Sequence, residues 1–240
     1  MPINLTQRSE EEELMDDLDS SGEVIEQTLQ ELEVINRLLG GNRLSWKGLE
    51  RLIKIYPQEK YTLLDIGCGG GDLLILMARW AKRKGYNIEF IGIDANPHIV
   101  EYARANCIHY PEISFQCLNI FDQTFANLTC DFLHASLFTH HFTDTQLIDL
   151  FQVFKKQTQL GIVVNDLHRH ALAYYSIQAL TRFLSKSPMV RHDAALSVAR
   201  SFRRADWQQI LNAVQLTDYE LKWKWAFRWK LIIYNRTRKA

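Results

Sequence analysis

The sequence predicts an α/β fold built on a mostly parallel sheet, and three observations carry that prediction. Short apolar runs alternate with helix-periodic stretches between residues 62 and 164. A glycine-rich turn follows the first of those runs directly and opens a helix. Near the end of the sequence, residues 218–225 and 227–234 are two strand-like runs separated by almost nothing, the pattern of an antiparallel hairpin.

The alternation supplies the sheet. Strand-like runs at 62–66, 88–93, 113–118, 132–137 and 160–164 are separated by helical stretches at 73–84, 97–106 and 143–157. Parallel strands need such crossovers, because a tight turn can join only antiparallel neighbours. Ahead of the sheet, Ile25, Leu29, Leu32, Ile35, Leu38 and Leu39 recur at three- and four-residue steps. The pattern stops at Gly40-Gly41 and resumes through Trp46, Leu49, Leu52 and Ile53, which gives two amphipathic helices. After Asp166 the alternation ends, and residues 168–206 read as helices rich in aromatic, basic and small residues, with helix again at 206–211. The division expected is an acidic segment with helices over 1–56 and a main domain over 57–240, the latter carrying a helical insertion at 168–206.

With 240 residues, 47% of them apolar and 23% charged, the chain can bury a core without disulfides or a structural metal. Its 28 basic and 28 acidic side chains cancel, which argues against nucleic acid or an anionic membrane as a partner held by net field. The balance hides an asymmetry: residues 1–33 carry a net charge of −10 and the remainder +10, with the basic excess late. Cys68, Cys107, Cys117 and Cys130 are scattered, the beginning is acidic where a secretory signal would be basic, and no apolar run approaches the roughly 18 residues of a membrane span. These features predict a cytoplasmic chain with no membrane span.

The strongest local signal is Leu63-Leu64-Asp65-Ile66-Gly67-Cys68-Gly69-Gly70-Gly71-Asp72. An apolar strand ends in an acid and runs into glycines that let a ligand lie against the backbone, at the positive end of the following helix. A dinucleotide fingerprint would need glycine at the sixth position from Gly67, which is Asp72. The spacing Asp65-x-Gly67-x-Gly69-x-Gly71 instead resembles that of class I S-adenosylmethionine-dependent methyltransferases, and the resemblance continues through Ile91-Gly92-Ile93-Asp94 and across residues 60–166. It implies a Rossmann-like methyltransferase fold with a seven-stranded sheet and an antiparallel last strand. It also implies S-adenosylmethionine as cofactor and S-adenosylhomocysteine as product. Carried over position by position, the cofactor-binding residues would be Asp65, Gly67, Cys68, Gly69, Gly71, Asp94 with Ala95, Asn119 with Ile120, and Ser136. Asp94 would hold the ribose hydroxyls. Asn119 departs from the pattern, since the family commonly has an Asp there.

In an open α/β sheet the ligand sits beyond the carboxyl ends of the strands, so the methyl acceptor should meet the loops after the fourth and fifth strands. Methyl transfer aligns a nucleophile within about 3 Å of the sulfonium carbon, and a hydroxyl or enol must also lose a proton. Histidine suits that task, and His140 or His141 is the expected general base, with Asp166 orienting it or binding the acceptor. His168, Arg169 and Tyr174, at the start of the helical insertion, are the expected acceptor contacts, beneath a cap enclosing a mainly apolar pocket for a small-molecule acceptor. No metal is expected: no cysteine lies at ligand spacing from the histidine pair, and Asn165-Asp166 alone is too few carboxylates.

Two alternatives come from other classes, a nucleic-acid methyltransferase and a non-catalytic cofactor-binding protein. The stretch Lys222-Trp223-Lys224-Trp225 favours the first, but strand alternation puts tryptophans on one face and lysines on the other, so burial of the aromatics would explain it without RNA. The regional charges predict that the acidic N-terminal segment meets the basic remainder across the mouth of the site.

Overall fold

The structure is a computed structural model that describes residues 4–235. The strands are Tyr61–Ile66 (β1), Ile88–Asp94 (β2), Ile113–Cys117 (β3), Cys130–Ser136 (β4), Thr158–Leu167 (β5), Tyr219–Lys224 (β6) and Arg228–Tyr234 (β7). They form one sheet in the order β3-β2-β1-β4-β5-β7-β6. The pairs β1–β2, β2–β3, β1–β4 and β4–β5 are parallel, and β7 runs antiparallel to both β5 and β6. Strand order reverses between β1 and β4, which opens a crevice at their carboxyl ends.

Among the described residues, nine α-helices connect and cover the sheet: Glu23–Leu38 (α1), Asn42–Ile55 (α2), Asp72–Lys84 (α3), Pro97–Asn106 (α4), Gln123–Ala126 (α5), Asp144–Gln157 (α6), Ala171–Leu184 (α7), Pro188–Arg200 (α8) and Arg204–Ala213 (α9). Their starts follow local chemistry. The Asn96 side chain accepts from the backbone N–H groups of His98 and Ile99 ahead of Pro97, and Ser187 accepts from Val190 ahead of Pro188. Thr143 and Gln146 close a reciprocal capping box at α6.

Side-chain alternation divides the core in two. Leu63 faces one layer with Leu49 and Leu52 of α2, Leu74 and Met77 of α3 and Val100 of α4. Leu64 faces the other, with Leu147 and Phe151 of α6 and Trp207 and Ile210 of α9. The same alternation runs along β7, where Leu231 and Ile233 face the second layer and Ile232 and Tyr234 the first. The helix α2 therefore packs in the same core as β1 and β5. Helices α1, α7 and α8 gather above the crevice.

Three sequence expectations change. β5 extends to Leu167, so Asn165 and Asp166 are buried at the end of a strand and not in the loop beyond it. The four-residue α5 is too short to show a helical period and is absent from the sequence reading. Trp223 and Trp225 are 43% and 75% exposed, against the expectation that they are buried. β6 is the outer strand of the sheet, with only β7 beside it, and Trp225 lies in the turn beyond it, so both rings meet Phe227 on one side and solvent on the other.

Phe151 is fully buried between Phe154 and Trp207, with ring centroids 5.6 and 6.1 Å away. Phe151→Ala should cost about 3–5 kcal/mol of unfolding free energy in urea denaturation, with the secondary structure retained.

Candidate active site

The turn after β1 takes its shape from glycines. Gly67, Gly69 and Gly71 have φ of 66°, 52° and 75°, the left-handed region that side chains disfavour. At Gly67 space is also decisive, because a Cβ would lie 2.1 Å from the Phe138 ring. At Gly69 it would meet only Leu29, at 3.7 Å, so this side of the turn is open. The turn borders a cavity of about 470 Å³. Asp65, Gly67, Cys68, Gly69 and Ser136 line its floor, α1, α7 and α8 its walls, and Trp225 to Arg228 its far end.

Gly71 shapes the turn from outside that lining, its N–H donating to Cys68 O at 3.1 Å. Asp94 stands at the tip of β2, where its carboxylate accepts from Gly69 N at 3.2 Å and Asn96 N at 3.1 Å. Burial raises its pKa. Those two bonds leave lone pairs for a vicinal diol. Ala95 follows it, and the Asn119 side chain accepts from Phe121 N at 3.0 Å beside buried Ile120. A cradle open at Gly69, a carboxylate at the second strand tip and an adjoining cavity suit an adenosyl amino acid laid across β1 and β2.

On the other side of the crevice lies a buried polar cluster. Asp166 is buried, and its carboxylate accepts from Thr139 Oγ1 at 2.5 Å, His140 N at 3.2 Å and Leu167 N at 2.7 Å. Its Oδ1 also lies 2.7 Å from His140 Nδ1. Burial alone would raise the Asp166 carboxyl, but the His140 imidazole and these donors outweigh it and hold it well below the usual carboxylate range. The imidazole is thereby fixed in orientation, with Nδ1 spent on Asp166 and Nε2 turned toward Glu13, whose Oε1 lies 3.6 Å away. His141 is paired differently, Nδ1 to Asp16 at 2.5 Å. Between β4 and these histidines, Leu137 holds φ at 53°, a strained turn tied down by its N–H to Asn165 O at 2.9 Å. His140 also borders a second, polar cavity of about 410 Å³ on the Arg8 side.

The N-terminal segment reaches this cluster through specific bonds. Arg8 pairs with Asp144 at 2.6 Å, Arg200 pairs with Asp16 at 2.6 Å, and the Asp193 carboxylate accepts from Leu14 N and Met15 N. Of the acids at 1–33, only Glu13 and Asp16 form ion pairs with arginine among the described residues, both with Arg200. The segment does cross the mouth, but a few oriented contacts hold it there and the bulk charges stay in solvent. Glu13, His140 and His141 each bring one potential ligand atom within 4.8 Å of the others, the one grouping of three among the described residues that could hold a metal ion.

The expected acceptor contacts lie elsewhere. Arg169 is buried beneath α9, donating to Leu5 O and Ser201 O and paired with Asp206 at 2.9 Å. His168 accepts from Trp223 Nε1 at 3.1 Å, and burial pushes its imidazole down to about 4. Tyr174 packs with Leu5 and Leu196. None of the three borders the main cavity, because the helical turn aims Ala173, Ser176, Ile177 and Leu180 of α7 inward instead. Three partners lie outside what the motifs indicate: Glu13, which sits in a run of acids; His134, within an apolar strand and 2.6 Å from Asp65 Oδ1; and Arg228, within a basic-aromatic stretch. Only tertiary pairing singles them out.

Burial pushes the Glu13 carboxyl up to about 7, although His141, Ser197 and Arg200 oppose it. The folded protein thus keeps a proton there that the unfolded chain releases near its ordinary value. That contribution to stability is fully present below pH ~4.5 and is lost as pH rises through about 7. Glu13→Gln should flatten this loss, so that the variant gains up to about 3 kcal/mol relative to wild type between pH 5 and 8 in denaturation curves.

Comparison with known proteins agrees with this geometry. No curated protein matches the sequence. The plantazolicin methyltransferase BpumL in complex with S-adenosylhomocysteine superposes with a TM-score of 0.63 at 16% identity, covering 88% of this chain and 99% of that one. Human N-acetylserotonin methyltransferase in complex with S-adenosylmethionine superposes at 0.65 with 17% identity, over 95% of this chain and 60% of that one. The CurJ carbon methyltransferase gives 0.61 and 14%, over 82% and 54%. These likenesses are of fold. The methyltransferase-domain family matches residues 57–215, more than half of the sequence. The chain therefore belongs to the methyltransferase-domain family and is a class I S-adenosylmethionine-dependent methyltransferase.

Proposed function

We propose that the protein methylates a hydroxyl or enol oxygen of a small, partly apolar acceptor, with His140 as general base and Asp166 as the residue that positions it. The observation that carries this reading is the buried His140–Asp166 pair at 2.7 Å, with His140 lining the same cavity that the glycine turn borders. When bound, S-adenosylmethionine supplies an electrophilic methyl group. Asp65, Gly67, Cys68, Gly69 and Ser136 would hold it over β1 and β4, and Asp94 would take the ribose hydroxyls. Asp166 keeps Nδ1 of His140 protonated, which leaves Nε2 as the atom that takes the acceptor's proton. His141, stacked on His140 with centroids 4.4 Å apart and tied to Asp16, supports the ring and orders the N-terminal segment.

The walls suit the acceptor class. Leu32, Ile35, Leu39, Ile177 and Leu180 make the cavity apolar, and Trp225 folds over its rim. The described residues include no helix long and apolar enough to cross a membrane.

His140→Gln should lower turnover by about 10²–10⁴-fold while S-adenosylhomocysteine affinity stays within about two-fold. Turnover is read as labelled methyl transfer to a panel of phenols and enols, affinity by calorimetry. Undiminished transfer by His140→Gln would remove the base from the reading. Asp94→Ala should weaken S-adenosylhomocysteine binding at least about ten-fold, the loss of a charge-assisted hydrogen bond pair; unchanged binding would remove Asp94 from the cofactor site.

A further inference from the structure

At the far end of the cavity, two strands beyond β4, a cation is buried without a counter-ion. Arg228, the first residue of β7, is 1% exposed and borders the cavity. Its Nη2 donates to Asn36 Oδ1 at 3.0 Å, whereas Nε and Nη1 have no partner. Among the described residues no carboxylate lies within 4 Å of the guanidinium. The acid that acts on it from farther off, Asp166, already accepts from Thr139, His140 and Leu167. Burial pulls the Arg228 pKa down to about 10, which still leaves it charged at neutral pH.

Two neighbours add to the positive character of this corner. The guanidinium lies flat on Gly41, where a Cβ would sit 2.4 Å from Cζ, so it is packed against the start of α2. That helix is 14 residues long and directs the positive end of its dipole here. Asn42, its first residue, is buried on the same cavity wall, and its Nδ2 also lacks a partner. Burying an arginine with unsatisfied N–H groups costs several kcal/mol, and such a group is retained where an anion completes it.

We infer that Arg228 and Asn42 form a carboxylate-binding subsite for the methyl acceptor, so that the acceptor is a small apolar acid whose hydroxyl or enol lies at the end opposite its carboxylate. This inference rests on the proposed methyl transfer to oxygen and deepens it. The position separates the subsite from the cofactor cradle: β1 and β7 are three strand spacings apart, about 14 Å, whereas β4 and β7 are two apart, about 10 Å. His140 and Arg228 both line the one cavity, and a single hydroxyaryl acid lying in it would meet both. The apolar walls then receive the ring, and Arg228 selects the charge.

The test uses the whole protein, saturated with S-adenosylhomocysteine and titrated calorimetrically with 4-hydroxybenzoate, 4-hydroxycinnamate and 6-hydroxy-2-naphthoate, each beside its primary amide. At least one acid should bind ten-fold or more tightly than its amide. Arg228→Gln should reduce that preference to within two-fold, and Asn42→Ala, a milder change if the first variant does not fold, should reduce it several-fold. Equal binding of every acid and its amide by wild type, or a preference that survives both substitutions, would overturn the inference. The cofactor's own carboxylate is the competing source of the anion, and it is separated by 5′-methylthioadenosine, which lacks that group. If Arg228→Gln weakens S-adenosylhomocysteine ten-fold but leaves methylthioadenosine unchanged, the subsite belongs to the cofactor and the acceptor assignment falls. Failure of wild type to bind S-adenosylhomocysteine would sink the methyltransferase reading itself, whereas binding it without acid preference would sink only this inference.

Discussion

The site depends on one buried carboxylate. Asp166 is the penultimate residue of β5, inside the sheet, where an ion without partners could not persist, and its partners are drawn from the chain around it: a hydroxyl, two backbone N–H groups and an imidazole. Satisfying that charge fixes Thr139 and His140, and with them the 3-10 turn that follows β4. Leu137 can then hold its unfavourable backbone angle, and the turn presses Phe138 onto Gly67. The glycine turn and the His140 imidazole are thus mutually positioned by the need to satisfy Asp166.

Charge elsewhere in the site follows the same economy. Arg200 binds the carbonyls of His140 and His141 as well as the Asp16 carboxylate, so it ties the N-terminal segment to the histidine turn. Arg8 does the same from the other side, reaching the carbonyls of His140 and Phe142. Arg228 differs from both in having no acid within reach, and that difference sets it apart from an arginine of purely structural use.

Much of this was legible in the sequence, for physical reasons. Strand–helix alternation and the glycine spacing are local signals, so the parallel sheet, the turn at Gly67–Gly71 and the terminal hairpin all emerge from short windows. That one of the two histidines meets Asp166 follows from the rule that neighbouring strand ends share a crevice, although which one, and the strand context of Asp166, did not, because β5 runs three residues past the end of its apolar run. Which residues of α7 face inward could not be read without knowing where the helix begins. His168, Arg169 and Tyr174 stand near enough in the chain, but the helical phase and the Arg169–Asp206 pair turn them away. Glu13 and Arg228 were illegible for a different reason. One looks like its acidic neighbours and the other like its basic ones, and only contacts across more than a hundred residues distinguish them.

His140 stands in the partition between two compartments, an apolar one bordered by the glycine turn and a polar one bordered by Thr6, Arg8, Thr143 and Asp144. In the proposed transfer to oxygen, each methyl group delivered would release a proton, which an apolar chamber holds poorly. With His140 as the proposed base, the second compartment would offer that proton a way out on the side of the ring away from cofactor and acceptor, so the base could be reset without opening the apolar chamber.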